Sequence, residues 1–225
     1  MGSNGVMVMI INGDTYNKEP SKTEIVRSRH VFTNGKIRTI ALGRLVKAYE
    51  LNVACAKSDE LFIMFLTTTP PQLEIENLAT GLSEKVQLTS FSTQFMSFIS
   101  QPYMCADDSE GQTHVFISAM VGVGNRVVTK LNLKGEILAT LVDPDESIPG
   151  HIAAVGDGTL LFKYGDNICL LSAKCKIVAT LGSVGPELGD TCFTLTKSGL
   201  KLYCSDTIYT NYGKKHVCLS EYSLK

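Results

Sequence analysis

Apolar residues along the chain come in short runs, among them Val6–Ile11, Ile25–Phe32, Leu61–Phe65, Val115–Ile117, Leu160–Phe162 and Leu200–Tyr203. The runs are rich in Val, Ile, Leu, Phe, Tyr and Thr, and Gly, Asp, Asn, Ser and Lys separate them. That pattern predicts short strands joined by polar turns. Helical periodicity is weak. The two segments that come nearest to it, Leu45–Leu51 and Thr93–Ile99, do not sustain an apolar stripe over successive turns.

Two signatures recur in a fixed order. The segment Gly135-Glu136-Ile137-Leu138-Ala139-Thr140-Leu141 returns as Cys175-Lys176-Ile177-Val178-Ala179-Thr180-Leu181, 40 residues on. Shorter echoes are Gly35–Ile40 and Glu84–Leu88, and each copy follows a strand-like run and a turn. A second signature precedes it: a strand of small residues, a polar turn, then a bulky apolar strand. Ala54–Ile63 and Ala153–Phe162 are its fullest copies, with others from Cys105 to Ile117 and from Thr194 to Tyr203. Small residues suit strands crowded around an axis, and bulky ones suit strands packed between neighbouring sheets.

A four-strand unit repeating every 40–50 residues or so is the period of β-propeller blades. The expected fold is therefore all-β: a single propeller domain over residues 1–225, in antiparallel four-stranded blades at about 5–43, 50–90, 102–143, 149–183 and 190–225. A β-sandwich would also give short strands and polar turns, but not the same two signatures in the same order. The first and last units hold three recognisable strands each. Val6–Ile11 would then supply the outer strand of the last unit and close a ring of about five blades, or the units would form part of a larger ring. In the latter case self-association is expected. Asp14–Lys22 reads as a surface loop, and Ser90–Pro102 as an irregular connection in which Phe91, Phe95, Met96 and Phe98 pack under a short helical turn.

Composition narrows the functional classes. With 225 residues, 44% hydrophobic and 19% charged, the chain can bury a substantial core. Its net charge of −1 provides no bulk attraction to nucleic acid or to a membrane surface. The exception is local. Lys18, Lys22, Arg27, Arg29, Lys36, Arg38, Arg44 and Lys47 face only Glu19 and Glu24 in the same segment. Solvated strand faces explain that run; the alternative is a polyanion-binding stripe with Arg27, Arg29, Lys36 and Arg38 as its contacts. Seven cysteines without a Cys-x-x-Cys pair read as reduced, core-forming thiols and place the protein in the cytoplasm. The Val6–Ile11 run is too short for a signal peptide or a membrane span.

No motif for nucleophilic, zinc-dependent or phosphate-cradling chemistry occurs, so no catalytic, cofactor-binding or metal-ligating residue is assigned, and the reading points away from an enzyme. Gly122–Asn125 reads as a hairpin turn. Asp107-Asp108 and Asp143–Glu146 are acidic, but Asp- and Pro-containing turns account for them without a metal.

The segment Pro149-Gly150-His151-Ile152-Ala153-Ala154-Val155-Gly156-Asp157-Gly158-Thr159-Leu160-Leu161-Phe162, followed by Gly165-Asp166-Asn167-Ile168-Cys169-Leu170-Leu171, resembles the NHL repeat. The match is good in this one unit and partial elsewhere: Val53–Thr89 lacks the Gly-Asn turn. The chain contains no Trp, which separates it from WD40-type repeats. The resemblance implies a rigid disc whose loops bind protein or RNA. The expected function is a non-enzymatic module holding a protein partner through loops on one face. Single-stranded RNA on the basic N-terminal segment, or a metal-dependent hydrolase or lactonase with an axial site, are the alternatives.

Overall fold

In a strand with both faces covered, apolar residues run on without interruption; with one face covered they alternate. Both patterns appear here in sequence. Leu61–Leu66 is buried from its second residue onward, whereas in the next strand Leu73 and Ile75 are buried between more exposed polar residues. The strand after that, Ser83–Gln87, is almost wholly exposed. Burial therefore falls from the second strand outward.

The computed structural model describes residues 7–15, 24–33, 36–45, 53–57, 60–66, 70–91, 102–121, 126–142, 149–183, 191–196, 199–209 and 215–223. These form an all-β protein of antiparallel sheets, each made of consecutive strands. The backbone falls into two compact units, Met1–Leu51 and Asn52–Lys225. The first is a three-stranded sheet of β1 (Met7–Thr15), β2 (Glu24–Thr33) and β3 (Lys36–Leu45). The second begins with a sheet of β4 (Val53–Lys57), β5 (Leu61–Leu66), β6 (Gln72–Asn77) and β7 (Ser83–Gln87). Next come β8 (Tyr103–Asp107), β9 (His114–Val121), β10 (Arg126–Asn132) and β11 (Ile137–Val142). The third sheet is β12 (Pro149–Ala154), β13 (Leu160–Tyr164), β14 (Asn167–Leu171) and β15 (Ile177–Ser183). A three-stranded sheet of β16 (Thr191–Thr196), β17 (Gly199–Tyr209) and β18 (Lys215–Ser223) follows.

The strand units expected from the repeats are thus present. β1 pairs with β2 as the first strand of its own sheet, and β16, β17 and β18 form a three-stranded sheet. The hairpin also runs further than its turn-like residues suggested: Asp14 pairs with Ile25 and Thr15 with Glu24, because β2 offers a continuous ladder there. The segment from Gly122 to Asn125, which joins β9 to β10, lies outside the described residues. So do the helical candidates (apart from Leu45, at the end of β3), Asp143–Glu146, and Phe95, Met96 and Phe98. Thr89–Phe91 forms a single 3-10 turn.

The second unit is organised by its first strands. β8 lies against β4 and β12, and β12 also lies against β16. These strands carry the small residues Ala54, Cys55, Ala56, Cys105, Ala106, Ala153 and Ala154, and close approach of backbones favours such side chains.

Outward of them, two separate cores form among the described residues. Ala56, Ile63, Phe65, Leu73, Ile75 and Leu88 from the β4–β7 sheet meet Met104, Val115, Ile117, Ala119 and Leu131. Phe116, Val127 and Val128 meet Ile152, Leu160, Phe162, Leu171 and Cys175 from the β12–β15 sheet. β9 divides its residues by strand alternation: Val115, Ile117 and Ala119 enter the first core and Phe116 the second. The middle sheet is therefore covered on both faces, as in a propeller-like stack and unlike a two-layer sandwich. A hydrogen bond also crosses between these sheets, from Ser118 Oγ to the carbonyl of Gly150 at 2.7 Å.

The repeated Gly135/Cys175 signature has a physical basis in the turn before each outer strand. Gly135 has φ of 81° and donates its N–H to the Asn132 carbonyl at 3.0 Å; Cys175 has φ of 55° and donates to the Ser172 carbonyl at 2.9 Å. Both turns need a left-handed residue. At Gly135 a Cβ would lie 2.7 Å from Leu88 Cδ2 and 3.1 Å from Val86 Cγ1, so a larger residue would have to displace these side-chain ends of the preceding sheet. At Cys175 the side chain itself enters the second core, and burial pushes its thiol up to about 11. Gly135→Ala is expected to cost about 1–3 kcal/mol through left-handed strain and overpacking, read as a fall in Tm.

Candidate interaction surface

Consecutive antiparallel strands alternate direction, so the loop after the first strand of a sheet and the turn after its third emerge at the same end. In the second and third sheets of the Asn52–Lys225 unit these loops adjoin. Gly158, in the β12–β13 loop, has the position of its missing Cβ 3.3 Å from Ser109 Oγ of the β8–β9 loop and 3.9 Å from Ala173 Cβ. The glycines are required by the geometry: φ is 99° at Gly156, 83° at Gly158 and 75° at Gly111. Asp157 fixes its loop by accepting hydrogen bonds from the Thr159 N–H, at 2.9 Å, and from the Thr159 hydroxyl. These bonds hold its carboxyl below the usual carboxylate range.

The β8–β9 loop is closed by a buried polar cluster. Asp107 and His114 are opposite partners at the last rung of the hairpin, 4% and 1% exposed, with Asp107 accepting from Ser109 Oγ. Lys130, on β10 and likewise buried, reaches the loop and donates to Glu110 Oε2 at 2.8 Å. Its ammonium also lies 5.6 Å from the centroid of the Phe116 ring, opposite it in the ladder. The hydrogen bond to Lys130 lowers the pKa of the Glu110 carboxyl. Burial, followed by the Lys130 charge, keeps His114 below the usual imidazole range, while Glu110 and Asp107 pull the other way. Glu110 Oε2 is 3.4 Å from His114 Nδ1, outside hydrogen-bonding geometry. A neutral imidazole therefore sits beneath a loop whose carboxylate is committed to a lysine. The cluster tethers the loop to the sheet.

The charges on these loops follow their position. In the three four-stranded sheets the loops after the first strands carry acidic residues: Glu60 after β4, Asp108 and Glu110 after β8, Asp157 after β12. Of the turns after third strands, the one after β10 carries Lys134 beside Glu136 and the one after β14 carries Lys174 and Lys176. Because the first strands lie against one another, acidic loops stand inside and lysines outside. Sequence reading missed this. The Lys130–Glu110 link spans 20 residues, and acidic turns are unremarkable until strand order groups them.

The basic residues singled out from the sequence lie in the Met1–Leu51 unit. Arg27 and Arg29 are on β2, Lys36 and Arg38 on β3. The register pairs Asn12 with Arg27, Ile10 with Arg29, Val31 with Arg38 and Thr33 with Lys36. By strand alternation all four basic positions fall on one face of that sheet. Among the described residues no group of three His, Cys, Asp or Glu is placed to hold a metal ion, and the axial-metal reading takes no residue from them.

No protein-family model matches the chain, so the NHL likeness rests on the residues of the Pro149–Leu171 segment; no curated protein matches it either. Among solved structures it is similar to a protein of unknown function from Bacteroides caccae, at 10% identity over 98% of this chain and 73% of that one, TM-score 0.49. It is also similar to Raptor from Chaetomium thermophilum, at 8% identity, TM-score 0.55. That alignment covers 99% of this chain and 20% of the Raptor chain, so this chain spans a fifth of that protein's length. Likeness at such identity concerns the fold alone. The class it supports is a β-rich, propeller-like fold.

Proposed function

We propose that the chain is a non-enzymatic β-propeller interaction module of NHL-like blades, acting in the cytoplasm, that binds a protein partner through the loops after its first strands. One observation carries this reading: Glu60, Asp108 and Asp157 occupy equivalent loops of successive sheets, and two of those loops touch. A face with acidic residues inside and lysines outside favours a partner with a basic protrusion. A single ring of blades over the whole chain belongs to the same proposal, supported by the double-faced packing of the middle sheet. The free thiols of Cys105, Cys169 and Cys175 accord with a reducing compartment.

Selection of displayed random peptides on the purified chain tests it. Lys- and Arg-rich peptides are expected to be enriched, with binding weakened by salt and reduced about tenfold by Glu60→Lys with Asp108→Lys. Binding indifferent to both changes would overturn the loop-face reading.

A second reading has its own observation, the shared face of Arg27, Arg29, Lys36 and Arg38. It predicts that single-stranded RNA is retained in filter binding, with a steep salt dependence that Arg29→Ser with Arg38→Ser flattens. Retention unaffected by the pair would remove it.

A further inference from the structure

The polar cluster at the end of the β8–β9 hairpin contains one group that its neighbours leave unsatisfied. His114 is 1% exposed, and its Nδ1 is the one buried side-chain nitrogen or oxygen without a hydrogen-bond partner among the described residues. Such an orphan is unfavourable, and its surroundings show what would relieve it. Glu110 Oε2 lies 3.4 Å away, and the same oxygen accepts from Lys130 Nζ at 2.8 Å. In the neutral ring Nδ1 either turns a lone pair toward that carboxylate or aims a misaligned N–H at it. A protonated ring carries an N–H on both nitrogens, and a shift of roughly half an ångström would complete a charge-assisted bond. The charged groups that face the ring come from three elements: Glu110 from the loop, Asp107 from β8 and Lys130 from β10. Asp108 stands in the same loop. The adjoining loops of the next sheet bring Asp157, which is held by Thr159, and Lys174 and Lys176. The Cys105 and Cys175 thiols between the two sheets are kept protonated chiefly by burial.

We infer that His114 is a proton-operated switch beneath the acidic loop face: on taking up a proton it draws Glu110 inward, and the face releases a basic partner. The inference rests on the loop-face reading. With His114 neutral, the carboxylates of Asp107 and Glu110 outnumber the Lys130 ammonium, and the cluster keeps a net negative charge. Glu110, its side chain 44% exposed, presents part of that charge at the surface. Protonation cancels the net charge and sets Glu110 Oε2 between two cations. The change reaches the next loop through Ser109. That hydroxyl donates to Asp107, the ladder partner of His114, and lies 3.3 Å from the position of the missing Cβ of Gly158. A partner's positive charge over the cluster favours the neutral ring, so binding expels the proton. Affinity therefore falls as the pH drops through the pKa of His114, which burial sets below the ordinary imidazole value.

Two measurements on the full chain test the switch, with circular dichroism confirming the fold at each pH. In nuclear magnetic resonance the His114 ring and the amides of Gly111 and Gly158 are expected to titrate with one midpoint, below the ordinary imidazole range. His114→Asn keeps an amide N–H near the position of Nδ1 and cannot take up the proton, so it should abolish the glycine shifts over that range. His151, beside Tyr103 at the other end of β8, keeps its own titration in that variant. Glu110→Gln alters an exposed side chain and serves if His114→Asn does not fold. It should move the His114 midpoint lower still, because the carboxylate favours the imidazolium. Octalysine, whose charge is constant over this range, is the probe of the face. It should bind the parent roughly threefold or more weakly at pH 5 than at pH 7.5, and the His114→Asn chain with little change. Failure of octalysine to bind at pH 7.5 would count against the loop-face reading, and the glycine titrations would then decide the switch alone. Glycine amides that stay still while His114 titrates, shifts that persist in His114→Asn, a midpoint unmoved or raised by Glu110→Gln, or a measurable affinity that does not fall toward pH 5 would overturn it.

Discussion

Phe116→Ala is expected to lower the free energy of unfolding by about 3–5 kcal/mol, measured by urea denaturation, and to do so with little change in β-sheet signal below the transition. Phe116 is fully buried, and strand alternation on β9 carries it into the core shared with Ile152, Leu160, Phe162 and Leu171 of the next sheet. Truncation removes a whole aromatic side chain from between two sheets that are held rigidly by their ladders, so the space cannot close by local collapse. The ring also lies beneath the Lys130 ammonium, so its loss loosens the tether of the β8–β9 loop. Phe116→Leu, which keeps most of the volume, should cost less than about 1.5 kcal/mol. Equal effects of the two substitutions would mean that Phe116 does not fill a tight inter-sheet site.

Stability should also fall steeply between about pH 6.5 and pH 4. His151, on β12 with its ring edge-on to Tyr103 at a centroid distance of 5.8 Å and an interplanar angle of 71°, is driven by burial down to about 4. Its folded-state pKa lies below the unfolded value, so the unfolded chain takes up a proton first as the pH drops. The neutral ring therefore favours folding fully above about pH 6.5, and this contribution is lost as the pH falls toward 4. The total is on the order of 3 kcal/mol. His114, also depressed mainly by burial, adds in the same direction. His151→Phe keeps an aromatic ring beside Tyr103 and removes the titration. The variant should lose less stability than the parent between pH 7 and pH 4.5 in thermal melts. Parallel pH profiles for the two proteins would show that His151 titrates normally in the folded state.

Much of the fold is legible in the sequence because each strand carries its burial in its own pattern. Leu61–Leu66 reads as doubly covered, Gln72–Asn77 as singly covered, and the Gly135/Cys175 signature marks a backbone position that demands a left-handed residue. Those are local constraints. What could not be read is non-local. The division of β9 between two cores depends on which sheets flank it, and the Lys130–Glu110 tether joins residues from different elements. Polarity alone also misplaced the end of β1, since Asp14 and Thr15 look like the start of a loop until β2 supplies their partners. The basic positions of β2 and β3 were legible as a charge run, but their common face required the register. The exposure of β15 was hidden for the opposite reason: its Ile-Val-Ala-Thr-Leu pattern is nearly that of β11, and only packing tells a half-covered outer strand from an exposed one.

The stacking of successive sheets, each pair enclosing its own core, is tested most directly by methyl–methyl nuclear Overhauser effects in a selectively labelled chain. Cross-peaks are predicted within the set Ile63, Leu73, Ile75, Val115 and Ile117, and within the set Val127, Val128, Ile152, Leu160 and Leu171. None is predicted between Ile63 or Leu73 and Leu160 or Leu171. Cross-peaks joining those residues would show one shared interior, the signature of two facing layers, and would contradict the stack.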